Sequence, residues 1–278
     1  YGYDRELIVN ATLSGSWTAT SNSYNKSSQA SVNLFSAGYA VNLAATNGNY
    51  GFNVTNTAGS TSLTGSNAND TLIGGTGNDT FTGGVGNDKL TGGGGSNTFI
   101  VDSGSDSITD FTSADILQIR SGATASAAVA NSYTALAANL QLSGSLNLST
   151  NGYTVDLSAI TSGSGSISVT NSGESAKITG SALKDALTGG QSSDTLNGGA
   201  GNDTLNGGSG NDVLSGGAGN DVAVFTGKYS EYVLTATDTG LMVTGPDGAD
   251  QVYASVEALE FDDALVRPLR SLAPRALG

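Results

Sequence analysis

The sequence predicts an all-β protein: a parallel β-roll or β-solenoid of two tandem modules, each with strand-rich coils running into a block of nonapeptides. Three observations carry this. Nine nine-residue units stand in register in blocks of four and five, a longer repeat with offsets of 114 and 115 residues lies over them, and 41 of 278 residues are Gly. So much Gly without a collagen period points to many tight turns.

The short repeat runs GSNANDTLI, GGTGNDTFT, GGVGNDKLT and GGGGSNTFI from Gly65 to Ile100. It resumes as GSALKDALT, GGQSSDTLN, GGAGNDTLN, GGSGNDVLS and GGAGNDVAV from Gly180 to Val224. Fixed short periods of this kind signify stacked coils. The longer repeat pairs GYAVNLAA at Gly38 with GYTVDLSA at Gly152, and FNVTNTAGSTSLTGS at Phe52 with ISVTNSGESAKITGS at Ile167. In the stretch before the first block, Val32 and Leu34, Val41 and Leu43, Phe52 and Val54 alternate with polar residues, the period of a strand. The Ala-rich segment from Ala123 to Leu142 is ambiguous. Tyr133, Leu136, Ala137 and Leu140 have helical spacing, but the equivalent stretch near Trp17 lacks it, so the segment is read as strand.

Within a unit such as GGAGNDTLN at Gly198, the first four positions are small and let the backbone turn sharply. Position six is a carboxylate, Asp203, and position eight an apolar residue, Leu205, that points inward. Two units make one coil of eighteen residues, so stacked turns bring two Asp side chains and backbone carbonyls around one gap. An all-oxygen cage of about six ligands at roughly 2.3–2.6 Å suits Ca²⁺, whereas Mg²⁺ keeps its waters and softer metals want N or S. Stacked carboxylates without a cation would repel one another.

Composition narrows the alternatives. With no His and no Cys, there is no His-dependent triad, zinc or haem site, disulfide or thiol chemistry. Ten basic residues against 19 Asp and 5 Glu give a formal charge of −14, which argues against nucleic acid as a partner. No P-loop string occurs, and no apolar run reaches the roughly 18 residues that span a membrane. Paired carboxylates also occur in glycosidases, but the repeat already explains nearly every clustered Asp, so no catalysis is expected. Trp17 and the ten Tyr are too scattered for a sugar platform and are read as packing or surface strand residues.

The units follow the pattern GGxGxDxUx, most fully from Gly198 to Val224, while those opening at Gly65 and Gly180 lack Gly at positions two and four; the chain resembles the RTX proteins, calcium-binding bacterial proteins exported by type I secretion. The family's ligand pattern implies carbonyls at positions two and four plus the Asp of one turn, with carbonyls at one and three plus the Asp of the turn eighteen residues later. It joins Gly199, Gly201 and Asp203 to Gly216, Ala218 and Asp221, and Gly190, Ser192 and Asp194 to Gly207, Ser209 and Asp212. A third pair joins Asp185 to Asp203 with Gly198 and Ala200, so that Asp203 bridges two ions. In the first block Asp70 pairs with Asp88, with Gly83 and Val85, and Asp79 with Asn97, with Gly75, Gly77, Gly92 and Gly94. Asn97 lacks the charge and is expected to weaken its site. About five Ca²⁺ ions result, moving −14 to about −4. Without them the chain is expected to be largely disordered; with them, binding free energy becomes folding free energy.

After the first block, GSDSITDFTSADILQI from Gly104 resembles the strand pair that closes many RTX rolls, and Asp106 and Asp110 are expected to ligand a terminal ion. After the second, Tyr229, Tyr232, Val252, Val256, Leu259 and Phe261 are expected to cap the open end, which would otherwise expose core and strand edge. The expected organisation is coils over 1–64, a roll with closing strands over 65–120, coils over 121–179, a roll over 180–224, and a cap with secretion signal over 225–278, its tip the basic RPLRSLAPRALG. The start, YGYDRELIV, has neither Met nor signal-peptide character, and the chain is read as a fragment or processed product of something longer.

The tandem module builds length rather than a pocket. Two functions therefore remain in view. One is a secreted structural or adhesive module of a large surface or S-layer-like protein, at the surface of a Gram-negative cell, with polysaccharide or like subunits as partners beside the secretion machinery. The other is the export and folding domain of a secreted enzyme.

Overall fold

The computed structural model describes residues 9–20, 24–25 and 32–267; the chain's first residues and the basic tail beyond Arg267 lie outside the described residues. Apart from a 3₁₀ turn at Tyr229–Glu231, every regular element in them is a strand. The chain forms two compact units, Tyr1–Ala128 with Ala138–Leu146, and Val129–Ala137 with Asn147–Gly278.

In the first unit two parallel ladders stack. One runs through Val9–Thr12, Val32–Ser36, Asn53–Asn56, Thr71–Ile73, Lys89–Thr91, Ser105–Ile108 and Thr124–Ala128. The other runs through Trp17–Thr18, Val41–Asn42, Ser62–Thr64, Thr80–Thr82, Thr98–Val101, Ile116–Ile119 and Leu140–Leu142. Position eight of each nonapeptide fills the core. Leu72 lies between Val54 and Leu90, and Phe81 between Leu63 and Phe99, all fully buried. The Phe81 and Phe99 rings stack at 5.1 Å. Parallel in-register pairing puts like residues over like, which is why an apolar position repeated every eighteen residues makes a continuous column.

The turns explain the glycines. Gly75 and Gly77, at positions two and four, have φ of +86° and +109°, values an L side chain rarely adopts. The eighteen-residue coil also continues past Ile100. VDSGSDSIT and DFTSADILQ keep the nine-residue register, with Asp106 and Asp115 at position six and Ile108 and Leu117 at position eight. Their strands pair with the coil before them, Thr98 to Ile116 and Lys89 to Ser107.

The second unit repeats the plan. Tyr133–Thr134, Val155–Asp156, Lys177–Thr179, Thr195–Ala200, Val213–Ala218 and Gly248–Tyr253 form one parallel ladder. Ile167–Asn171, Asp185–Gly190, Thr204–Gly208, Val222–Val224 and Ala258–Phe261 form the other. Ala123–Leu142 contributes strands only, at Thr124–Ala128, Tyr133–Thr134 and Leu140–Leu142. Each ladder ends in antiparallel strands, Gly240–Gly245 and Val233–Thr237 on one and Ala264–Val266 on the other. Over this end Phe225, Tyr232 and Phe261 pack ring to ring at 5.0–5.5 Å, with Val252, Val256 and Leu259 fully buried beside them. Tyr229 touches Phe261 but stays 42% exposed.

Candidate metal centre

The stacked turns place position six of every nonapeptide inside. Asp70, Asp79, Asp88, Asn97, Asp106 and Asp115 in the first unit, and Asp185, Asp194, Asp203, Asp212 and Asp221 in the second, are all at most 2% exposed. A buried carboxylate needs a partner for each oxygen, and the fold supplies one of the two. Oδ1 of each except Asp185 accepts the backbone N–H of the residue eighteen positions earlier. Asp88 Oδ1 takes the Asp70 N–H at 2.7 Å, and Asp106 Oδ1 the Asp88 N–H at 3.0 Å. On the other face Asp79 takes Thr61, Asn97 takes Asp79, and Asp115 takes Asn97, at 2.7–2.9 Å. In the second unit Asp203 takes the Asp185 N–H at 2.9 Å, Asp221 takes Asp203 at 2.8 Å and Asp212 takes Asp194 at 2.7 Å. Two spines of side chain to backbone bonds therefore run down each unit.

The second oxygen is a different matter. Oδ2 of Asp79, Asp88, Asp106, Asp194, Asp203 and Asp212 is buried and has no hydrogen-bond partner. Those of Asp79, Asp88, Asp194, Asp203 and Asp212 face the position-one glycine of their own turn, and that of Asp106, whose unit opens with Val101, faces Gly83 of the coil before. A Cβ built on Gly74 would lie 2.5 Å from Asp79 Oδ2 and 2.6 Å from the Gly92 carbonyl oxygen. One on Gly83 would lie 2.5 Å from Asp88 Oδ2 and 2.6 Å from Asp106 Oδ2, and one on Gly198 would meet both Asp203 Oδ2 and the Gly216 carbonyl. These three cradles are lined by oxygen from two successive coils and kept open by a missing side chain. Among the described residues no three acidic side chains converge on one point, so backbone carbonyls complete any cage here. A hard, oxygen-seeking cation is the ligand such a donor set fits.

The ends of the spines differ. Asp70 Oδ2 accepts the Ser66 N–H at 2.6 Å and its hydroxyl at 2.9 Å, and Asp185 Oδ2 takes the same pair from Ser181. Thr112 satisfies Asp115 Oδ2 in the same way. Asn97 departs further than its lost charge implies. Because its Oδ1 accepts the Asp79 N–H, its amide nitrogen is the atom turned toward Gly92. That cradle meets a donor where the others have an acceptor.

The remaining expected ligands lie in the same turns. Carbonyls of Gly83, Gly92, Gly198, Gly207 and Gly216 face the cradles of the preceding coil. Those of Gly75 and Gly190 each accept one N–H, from Gly94 and Ser209 at 2.7 Å. The Ala218 carbonyl accepts the Gly201 N–H at 2.8 Å, and the N–H groups of Val85 and Ala200 donate to Ser66 and Ser181. Gly77, Gly199 and Ser192 complete the turns around them. Asp106 stands in the spine. Asp110 does not: its two oxygens accept the N–H groups of Gly92 and Gly93 at 2.8 and 2.6 Å. Sequence reasoning missed Asp115, Asp250 and Glu257, which extend the spines through the N–H groups of Asn97, Asp212 and Asp221. Asp115 was legible from the nine-residue period; Glu257 follows no such signal.

Burial pushes the Asp88 carboxyl up to about 8, against the hydrogen bond from Asp70 and with the charges of Asp106, Asp70 and Asp102 adding. The same cause lifts Asp106, Asp203 and Asp250 to about 7 and Asp185 to about 6, and raises Asp79, Asp194 and Asp212.

The family model for the RTX calcium-binding nonapeptide repeat matches the chain in four copies, at residues 56–90, 64–99, 91–118 and 188–223. No curated protein matches the chain.

Two outcomes follow for solution measurements. Asp203→Ala removes a cradle oxygen and strands the Asp185 N–H, and is expected to destabilise the calcium-loaded protein by about 2–4 kcal/mol in urea unfolding. Asn97→Asp is expected to lower the calcium midpoint by a smaller amount; equal midpoints for Asp203→Ala and the parent would contradict the shared role of Asp203. The pH dependence has a defined sign. These carboxyls are raised in the fold, so without metal their stabilising contribution is complete below about pH 4 and is lost as pH rises through about 6–8. Metal-free protein should gain β signal in circular dichroism on going from pH 8 to pH 5, while the calcium midpoint moves to higher concentration.

Proposed function

From the RTX calcium-binding nonapeptide repeats this chain carries, we propose that it is a calcium-dependent structural or adhesive module of a large secreted surface or S-layer-like protein. It acts outside a Gram-negative cell after type I export. The observation that carries this is the row of buried carboxylate oxygens without partners, each facing a cradle that glycine keeps open. Six such carboxylates, at several kcal/mol each, outweigh the roughly 5–15 kcal/mol by which a domain is stable. The coil is therefore held together by protons or by a cation, and at neutral pH by calcium.

Asp79, Asp88, Asp106, Asp194, Asp203, Asp212 and Asp221 are the principal side-chain ligands, with position-one carbonyls beside them. Asp70 and Asp185, already served by Ser66 and Ser181, contribute to weaker sites, and Asn97 to the weakest. About five ions occupy the rolls of 65–120 and 180–224, which the coils of 1–64 and 121–179 precede and the region 225–278 caps. At extracellular calcium, modules of this class bind at about 10⁻⁴–10⁻³ M, so the chain stays unfolded where calcium is scarce and folds after export. The RTX coil is a structural kind of domain, and no catalytic role is proposed for it. Tandem modules that extend the coil favour a spacer or adhesive role, with polysaccharide or like subunits as partners. The second reading, a folding domain for an exported enzyme, rests on the same repeats.

Far-UV circular dichroism during a calcium titration from EGTA to about 10 mM, with magnesium as control, tests the reading. A cooperative gain of β structure with calcium alone is expected. Equal folding in EGTA and calcium at pH 8 would reduce calcium to a local clamp.

A further inference from the structure

The hairpin that closes the second unit contains a further nonapeptide. Gly245 to Tyr253 reads GPDGADQVY, with Gly at positions one and four, Asp250 at six and Val252 at eight, although Phe225 to Thr244 separate it from the repeat block. The structure seats it as the next coil. Val213 and Leu214 pair in parallel with Gln251 and Val252, and Gly210 bridges to Gly248. The contacts of the roll recur across 38 residues instead of 18: the Asp212 N–H donates to Asp250 Oδ1 at 2.8 Å, and the Ala249 N–H to Asn211 Oδ1 at 3.0 Å. The Gly210 N–H donates to the Asp247 carbonyl at 2.7 Å, as Gly201 does to Ala218. Gly248, with φ +146°, matches Gly219 at +147°.

Asp212 is 1% exposed, and its Oδ2 has no partner and lies against Gly207. The coil that closes this cradle is the hairpin, through Asp250, itself 2% exposed. One feature is peculiar to this turn. Position three is acidic, Asp247, where none of the nine repeat units carries a charge. The Tyr232 hydroxyl donates to Asp247 Oδ2 at 2.9 Å, leaving Oδ1 buried without a partner. The charge of Asp247 acts on both Asp212 and Asp250.

We infer that Asp212 and Asp250, with backbone carbonyls of their two turns and the added charge of Asp247, form a further calcium site that fastens the Gly240–Tyr253 hairpin to the last full coil of the roll. Its Asp247 and Asp250 lie outside the stretches that match the repeat model, and the site rests on the calcium reading above. An ion here bridges two pieces of chain joined only through the insertion, so it controls docking of the cap.

Native mass spectrometry of the full chain in calcium, with hydrogen exchange, tests this. Asp250→Asn is expected to hold one ion fewer than the parent and to lose protection over 240–253 while the earlier coils keep theirs. Should Asp250→Asn fail to fold, Asp247→Asn decides, since its amide oxygen still accepts from Tyr232. One ion is then expected to bind about tenfold more weakly. An unchanged ion count in folded Asp250→Asn, or unchanged affinities in Asp247→Asn, overturns the hairpin site alone. A parent that binds no calcium overturns the reading it rests on.

Discussion

Everything in this molecule depends on how one carboxylate divides its two oxygens. Asp203 shows the arrangement: Oδ1 closes a hydrogen bond to the backbone of the coil above, and Oδ2 is left buried in its cradle without a partner. The first bond fixes the register between coils. The second oxygen makes that register conditional on a positive charge. A coil that satisfied both oxygens internally, as Asp70 does with Ser66, would need no ion.

The other features follow from that division. Position one is Gly in all nine repeat units, because a Cβ there would fill the space in front of Oδ2, as at Gly74 and Gly83. Positions two and four take Gly where φ is positive. Position eight must be apolar, because the turn leaves it pointing into the core, where Phe81 stacks on Phe99 and Leu205 pairs with Leu187. Six unpaired buried carboxylates, at several kcal/mol each, exceed the margin by which a domain is stable. Electrostatics thus decides whether the hydrophobic column forms, an inversion of the usual balance in a globular domain.

Much of this was legible in the sequence. The nine-residue period, the Asp at position six and the alternation around Leu34 and Val54 specify parallel coils, because period and residue type are local properties. The partition of oxygens was not, since it depends on which backbone N–H lies across the gap. For the same reason Asn97 reads as a lost charge, whereas its hydrogen bond from Asp79 turns the amide nitrogen into the cradle. Asp110, placed by analogy beside Asp106, is drawn to the N–H groups of Gly92 and Gly93 instead. Asp250 stands outside the contiguous period because an insertion interrupts it, while Glu257 occupies a spine position by way of a longer side chain.

The most direct test of the central claim is a crystal structure of the chain grown in calcium, with anomalous scattering to locate the ions. Calcium is expected in front of Gly74, Gly83, Gly189 and Gly198, with Oδ2 of Asp79, Asp88, Asp194 and Asp203 within about 2.3–2.6 Å of an ion. Empty cradles at neutral pH, with these carboxylates protonated or turned outward, would contradict it.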